Sequence, residues 1–176
     1  KFHPWEGGEG KVPAQYQLAR LELAKELINR KKYDDALALI DECYIYPTHL
    51  GEGKLPGAQE NDFNYYKAYI LQQQGRPEEA HSLFVKACSG NSQPAAAMYY
   101  NDQKPDKIFY QGLAYRKLGE EEKARSRFNQ LITYGEEHLF DRFKMDYFAV
   151  SLPDLLIWED DMDKKNRIHC NYLMAL

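Results

Sequence analysis

The sequence predicts an all-α protein, an α-solenoid of antiparallel helix pairs in lengthened repeats of about 44 residues. The first observation is a set of columns in which similar residues recur at steps of 44 and 44 residues. The four columns are Ala36, Ala80 and Ala124; Ile40, Phe84 and Phe128; Ala24, Ala68 and Gly112; and Leu27, Leu71 and Tyr115. The second observation is apolar spacing of three and four residues inside each unit, which is the period of an amphipathic helix. Units that stay in phase indicate stacked repeats.

The first unit reads as two helices, "AQYQLARLELAKELINRKK" followed almost at once by "YDDALALIDEC". Each helix places its apolar residues on one side, as helical spacing requires. These residues are Leu18, Leu21, Ala24, Leu27 and Ile28 in the first helix, and Ala36, Leu37, Ile40 and Cys43 in the second. The first unit is therefore predicted to be a helix pair.

The second and third units repeat this pattern as "DFNYYKAYILQQQGRPEEAHSLFVKAC" and "DKIFYQGLAYRKLGEEEKARSRFNQLI". Gly75 and Gly119 follow the first helix of each pair, where a glycine commonly ends a helix. Pro77 lies in a first turn, where proline is tolerated, and acidic pairs open the second helices. The small residues of two columns are predicted to face each other, so that the paired backbones approach closely.

The stretches "PWEGGEGKVP" (4–13) and "PTHLGEGKLP" (47–56) are near copies, identical at six of ten positions. A phosphate-binding P-loop needs a glycine five residues before its Gly-Lys, and Ser or Thr after the lysine. Trp5 and Thr48 occupy the earlier position, and Val12 and Leu55 follow the lysines. Both copies are interpreted as connectors between helix pairs, and a ligand role for Lys11 or Lys54 is the alternative.

Beyond Leu131 the period breaks, and the sequence predicts a helix over 137–147, a segment interrupted by Pro153 and an acidic turn. Residues 1–4 are interpreted as the tail of an earlier repeat, and the array is expected to continue past Leu176. The predicted organisation is one array: connector 1–13, repeat 14–46, connector 47–61, repeat 62–89, connector 90–105, repeat 106–133, irregular helical insertion 134–163, and 164–176 as the first helix of a truncated fourth repeat, with Ala175 as its small residue.

These units resemble the tetratricopeptide repeat (TPR) family. The clearest unit carries the family pattern of small residue, aromatic residue, glycine, alanine and large apolar residue at Gly112, Tyr115, Gly119, Ala124 and Phe128. The second unit matches it with Ala68, Leu71, Gly75, Ala80 and Phe84. The first unit departs from it, because Lys31 stands where the turn glycine belongs. The family period is about 34 residues, so each unit here has about ten more.

The chain is also similar to the C-terminal TPR region of large multidomain bacterial proteins with an uncharacterised β-rich domain upstream. The stretches "AMYYNDQKPDKIFYQGLAYRKLG" and "DYFAVSLPDLLIWEDD" carry this resemblance. It implies an accessory role in a carbohydrate-related parent protein.

The composition excludes several classes of function. The chain has 176 residues, 44 % hydrophobic and 28 % charged, with a formal net charge of -4, which argues against a nucleic-acid-binding face. No apolar run approaches the ~20 residues of a membrane helix. A cytoplasmic location is favoured, although no targeting signal can be read. Cys43, Cys88 and Cys170 show no metal or disulfide spacing and are interpreted as buried thiols.

The sequence predicts no metal, no cofactor and no enzymatic activity. The acids Glu159, Asp160, Asp161 and Asp163 lack the glycine and the terminal glutamate of an EF-hand loop, so they are interpreted as a turn that caps the next helix. The histidines have no zinc-ligand spacing and no Ser-His-Asp arrangement is apparent. The histidines are His3, His49, His81, His138 and His169.

The resemblance implies that the first helix of each pair lines a concave groove. The residues predicted to bind there are Lys25, Tyr65, Tyr69, Phe109, Leu113, Arg116 and Tyr172. The lysines and asparagines with which chaperone-binding relatives clamp a terminal carboxylate are mostly replaced, for example by Tyr66 and Asp62. Two interpretations stay open: these aromatics bind a ligand, or they pack against neighbouring helices.

The function predicted from these features is a non-catalytic scaffold that binds a peptide or protein, with the upstream domain of its own chain as one candidate partner. The alternative is a ligand-binding accessory region of a carbohydrate-active bacterial protein. No nucleic-acid or membrane partner is expected. A solenoid that ends inside a repeat exposes an apolar end face, so weak self-association is also expected.

Overall fold

A computed structural model of the chain describes residues 10–97, 104–143 and 161–176. In these ranges it contains seven α-helices, one short 3₁₀ turn at Thr48–Leu50 and no β-strand. The helices are α1 (Lys11–Asn29), α2 (Tyr33–Cys43), α3 (Asn61–Gln73), α4 (Pro77–Ala87), α5 (Pro105–Lys117), α6 (Glu121–His138) and α7 (Met162–Ala175). The predicted all-α, solenoid-like fold is confirmed, because each helix packs on its neighbours along the chain.

Three helix pairs stack in order. Within a pair α1 packs on α2, α3 on α4 and α5 on α6, while α2 contacts α3, α4 contacts α5, and α3 also contacts α5 directly. The core continues across the unit boundaries, since Phe63 and Ile70 of α3 are buried against α1 and α2, and Ala114 of α5 is buried against α3 and α4. Each unit is therefore stabilised partly by the next one, as in other stacked repeats.

The small-residue columns lie where the paired helices approach most closely. Ala24, Ala36, Ala68, Ala80 and Ala124 are all fully buried. At Gly112 the helices are closer still, because a Cβ atom there would stand 2.4 Å from Cε1 of Phe128. Ala24 and Ala36 share one buried cluster, and Ala68 and Ala80 share another, as predicted, whereas Gly112 meets the ring of Phe128.

Each helix pair turns through the same three-residue link. The backbone N–H of the link's last residue donates to the carbonyl five residues earlier, in the Schellman arrangement that closes a helix C-terminus. These bonds are Lys32 to Leu27, Arg76 to Leu71 and Glu120 to Tyr115, each 2.9 Å long. The middle residue is left-handed in every link, with φ of 74° at Gly75, 79° at Gly119 and 58° at Lys31. Lys31 therefore makes the glycine turn without being glycine.

Replacing Lys31 with glycine is expected to raise the free energy of unfolding by about 0.5–1 kcal/mol. A side chain in the left-handed region costs ~1–2 kcal/mol, and the greater freedom of glycine in the unfolded chain offsets part of that gain. Thermal unfolding of the purified protein measures the change. Arg30→Gly is the matched control. The φ of Arg30 is -87°, so glycine relieves no strain there and only lowers stability through its greater freedom in the unfolded chain. A Lys31→Gly protein that melts no higher than wild type would contradict this account of the turn.

Buried amide side chains close the C-terminal ends of the second helices. Asn61, Gln111 and Asn166 are almost fully buried, and Gln17 is half-buried. Their NH₂ groups donate as follows: Gln17 to Cys43 O, Asn61 to Ala87 O and Ser89 O, Gln111 to Ser89 O and Asn91 O, and Asn166 to His138 O. Carbonyls at a helix end have no partner within the helix, so these amides satisfy groups that would otherwise be left unpaired.

The helix α6 is longer than its counterparts α2 and α4, and α7 packs against its second half. Gly135 is buried there, and a Cβ atom on it would lie 2.8 Å from the carbonyl oxygen of Cys170 and 2.6 Å from Cγ of Met174. The predicted helix over 137–147 is wrong in its described part: residues 137–138 end α6, and residues 139–143 are not helical. The predicted small residue of α7, Ala175, is exposed.

Several predictions concern residues outside the described ranges. These are the connector residues 1–9, residues 98–103 and most of the predicted insertion, 144–160, including Pro153 and the acids Glu159 and Asp160. Asp161 does cap α7, since its Oδ1 accepts the backbone N–H of Lys164 at 2.9 Å. The cap expected from this acidic turn is confirmed at that residue. Within the described ranges, no helix combines the length and the apolarity that crossing a bilayer requires.

Candidate functional site

The predicted binding residues lie on what we call the first-helix face, the side of α1, α3 and α5 that carries Lys25, Tyr65, Tyr69, Phe109, Leu113 and Arg116. Because α3 packs directly on α5, its Tyr65 and Tyr69 lie beside the α5 residues. On the α1 side, the Lys25 ammonium lies 5.4 Å from the ring centre of Tyr66. On α7, the hydroxyl of Tyr172 donates to Asp106 of α5, and the Tyr172 side chain stays 44 % exposed. Contacts on this face thus involve α1, α3, α5 and α7.

A chain of packed aromatic rings underlies this face. Tyr65 is its centre, with ring centroids 5.4 Å from Tyr66, 5.5 Å from Tyr110 and 5.8 Å from Phe84. Phe109 extends the chain, at 5.5 Å from Tyr110 and 5.9 Å from Phe128. The rings meet edge-on or tilted, the arrangement that their quadrupoles favour. Tyr65 therefore packs between units and Phe109 packs between α5 and α6, and both also line the face.

The hydroxyls of Tyr66 and Tyr110 bond to each other at 3.1 Å, across 44 residues of sequence. Burial raises the pKa of Tyr110, and the hydrogen bond with Tyr66 raises it further. Burial also raises the pKa of Tyr65 and, together with the bond to Asp106, the pKa of Tyr172. These phenols therefore stay protonated at neutral pH and act as neutral hydrogen-bonding groups.

Tyr69, Leu113 and Arg116 lie outside the chain of ring–ring contacts, as Tyr172 also does within the described ranges. Tyr69 and Leu113 are half-buried and Arg116 is exposed. The Lys117 ammonium stands 5.2 Å from the Tyr69 ring centre and 3.5 Å from Oε1 of Gln72. This end of the first-helix face combines apolar surface with two cations.

Two ion pairs lie elsewhere on the face. Lys107 of α5 and Asp62 of α3 form one at 2.5 Å, with side chains only 17 % and 9 % exposed. Lys25 and Glu22 form another at 2.6 Å within α1. The Lys107 ammonium also lies 4.7 Å from the ring centre of Phe63. The sequence analysis placed Asp62 in the groove but did not identify Lys107 as its partner. The signal for this pairing was the spacing of 45 residues, which is close to one repeat.

The two similar connectors pack on each other. The backbone N–H of Gly10 donates to Oε1 of Glu52 at 2.9 Å, and a Cβ atom on Gly10 would lie 2.9 Å from Cδ1 of Leu55. Lys54 is paired with Glu60 at 2.5 Å. A cleft of about 480 Å³ lies beside this contact, with Lys11 on its rim. Packing between the connectors thus explains the glycine at position 10.

The thiols and the ionisable side chains of the described residues form no evident catalytic group. Burial raises the pKa of Cys43 to about 12 and that of Cys88 to about 11, so both thiols are protonated and poor nucleophiles. No group of three or more His, Cys, Asp or Glu side chains in the described ranges could hold a metal ion. His169 instead bonds through Nε2 to the carbonyl of Ala95 at 2.7 Å.

No family model matches this sequence. No solved structure matches it either.

Proposed function

We propose that this chain is a TPR-like, non-catalytic interaction module that binds a peptide segment on the first-helix face. The observation that carries the proposal is the exposed edge of a rigidly packed aromatic layer. Tyr69 and Leu113 present apolar surface beside the ring chain centred on Tyr65. Tyrosine held in place from below loses little conformational entropy on binding, which is why such residues dominate peptide and protein interfaces.

A segment of another protein and a different part of the same parent chain both fit this chemistry. In either case the surface would act as a scaffold. Catalysis would need converging titratable groups with pKa values near neutrality, whereas burial raises the pKa values of Tyr110, Cys43 and Cys88 away from it.

The carbohydrate-binding alternative depends on open ring faces on which sugars could stack. On the first-helix face, a lysine ammonium lies over one side of Tyr69 and another over one side of Tyr66. A peptide needs only the ring edges and the neighbouring apolar surface. The geometry therefore favours the peptide over the glycan.

Selection from a displayed library of short random peptides, followed by calorimetric titration of the selected peptide, tests the proposal. Tyr69→Ala is expected to weaken binding about tenfold or more, as loss of a central aromatic contact does. Tyr69 has no ring–ring contact within the described residues, so this variant should leave the fold intact, whereas Tyr65→Ala would also disrupt packing.

Tyr46→Ala is the matched control, because Tyr46 is also half-buried but lines the connector cleft. Equal weakening by both variants, or weakening by Tyr46→Ala alone, would place the site elsewhere. A glycan array run on the same protein covers the alternative function. Glycan binding that Tyr69→Ala abolishes, with no peptide selected, would replace the proposed function.

A further inference from the structure

We propose that the peptide bound on the first-helix face is acidic: an extended segment in which carboxylates flank an aromatic or large apolar residue. The ring of this residue would lie on Tyr69 and Leu113, and its neighbouring carboxylate would meet Arg116 and Lys117. This inference rests on the proposed function and specifies its ligand. It follows from which cations of the face already have a carboxylate partner and which do not.

Two cations of the face already have a carboxylate partner. Lys25 is paired with Glu22 at 2.6 Å and Lys107 with Asp62 at 2.5 Å. The acid Asp106 accepts the hydroxyl of Tyr172. Charges that are paired within the protein contribute little attraction to a ligand.

Arg116 and Lys117 differ, because neither forms an ion pair with any residue of the described ranges. Both lie in the last turn of α5. Lys117 stands over the ring of Tyr69, and Arg116 is near enough to act electrostatically on the hydroxyl of Tyr65. Two unpaired cations therefore border the same apolar surface that the proposed function uses.

The chemistry of these two side chains favours a carboxylate. Arginine binds carboxylates through two parallel N–H···O bonds, and a charge-assisted bond of this kind is about twice as strong as a neutral one. An adjacent half-buried ring surface keeps water away from part of the contact, which strengthens it. A basic ligand would instead meet uncompensated repulsion at this end of the face.

Cations in the last turn also interact favourably with the dipole of α5, so they stabilise this helix whether or not a ligand binds. Charge reversal at Arg116 should therefore lower the melting temperature slightly. The stability of each variant is measured beside its affinity, so that the two effects are separated.

The test uses the whole chain and three peptides of the same length, in which a central phenylalanine is flanked by Asp, by Asn or by Lys. Fluorescence anisotropy of labelled peptides measures the affinities. The Asp peptide is expected to bind about three- to tenfold more tightly than the Asn peptide, from two favourable charge contacts. The Lys peptide should bind most weakly. Raising the salt concentration should reduce the advantage of the Asp peptide, because exposed charges are screened.

Arg116→Glu is expected to abolish or reverse the preference for the Asp peptide. Arg125→Glu is the matched control: it changes the net charge equally, but Arg125 lies on α6, beside Pro94 and Tyr134 in a separate cleft of about 600 Å³. Arg125→Glu should keep the preference. If it removes the preference as strongly as Arg116→Glu does, the effect is one of overall charge and the inference is overturned.

The remaining outcomes separate this inference from the proposed function. If the Asn peptide binds as tightly as the Asp peptide and Tyr69→Ala weakens both, the face binds peptides without a preference for acids. Selection of basic peptides from the random library would also overturn the preference for acidic peptides, while the proposed peptide-binding function would stand. If none of the three peptides binds and the library yields none, both proposals fail.

Discussion

Replacing Lys107 with methionine is expected to lower the free energy of unfolding by about 3 kcal/mol, because it leaves the carboxylate of Asp62 buried without its partner. Asp62 is only 6 % exposed, and its Oδ1 lies 2.5 Å from Nζ of Lys107. Removing one partner of a buried pair costs ~3–5 kcal/mol, far more than the pair itself contributes to stability. Methionine keeps an unbranched apolar stem next to Phe63, so packing changes little.

Thermal unfolding followed by circular dichroism measures this effect, with an expected drop in melting temperature of about 6–12 °C for a chain of this size. The double variant with Asp62→Asn should recover most of the loss, because the asparagine is neutral and its side-chain oxygen can still accept the N–H of Phe63. Lys117→Met, on the exposed end of the same helix, should change stability by less than about 0.5 kcal/mol. If Asp62→Asn restores nothing, Lys107 stabilises the fold through its position over the Phe63 ring and the buried charge is not the reason.

Asn61→Ala is expected to lower the free energy of unfolding by about 2–3 kcal/mol. The side chain is 3 % exposed, and its NH₂ group donates at 2.8 Å to Ala87 O and at 2.7 Å to Ser89 O. The carbonyl of Ala87 ends α4 and would lose this donor, whereas Ser89 O keeps its bond from Gln111. A buried group left without a partner costs ~1–3 kcal/mol. The loss should appear first as faster hydrogen exchange in α3 and α4, the pair that Asn61 joins.

Two further variants identify the cause. Asn61→Asp preserves the shape but at neutral pH has no hydrogen to donate, so it should be at least as destabilising as Asn61→Ala. Asn171→Ala removes an exposed amide whose NH₂ group donates to Arg167 O within α7, and it should cost less than about 0.5 kcal/mol. An Asn61→Asp protein as stable as wild type would mean that the two carbonyls do not need this donor.

The repeat pattern was readable from the sequence because it arises from local spacing and identical packing needs. Alanine recurs at 36, 80 and 124 since each helix pair needs a small residue at its closest approach, and each of these residues is buried. Gly75 and Gly119 marked their turns because they occupy the left-handed conformation there. The equivalent turn at Lys31 has no glycine to mark it in the sequence. The hydrogen bonds of the Schellman link hold Lys31 in the left-handed conformation despite its side chain.

The candidate site was only partly readable. Helical spacing placed Tyr65, Tyr69 and Phe109 on one side of their helices, but it could not distinguish packed rings from exposed ones. That distinction depends on Phe84, Tyr110 and Phe128, which reach the rings from neighbouring helices. The buried amides were missed for a similar reason, because Asn61 gains its role only when the end of α4 lies beside it.

The length of α6 shows the same limit. Within the sequence, nothing separates its last turn from the insertion that follows. In the structure Gly135 allows α7 to pack closely there, so the helix continues to His138 with α7 against it. The contact joins Gly135 to Cys170 and Met174, which are distant in sequence and were not paired by any local pattern.

The sequence by itself determined the repeat length, the helix pairs, their turns and the residues on each face, because these depend on neighbours within a few turns of chain. Only the tertiary structure decided which tyrosines are packed, which carboxylates are paired and which cations, Arg116 and Lys117, have no carboxylate beside them in the described ranges. Those properties are set by groups on adjacent units, about 44 residues apart in sequence, and their distances are fixed only when the units stack.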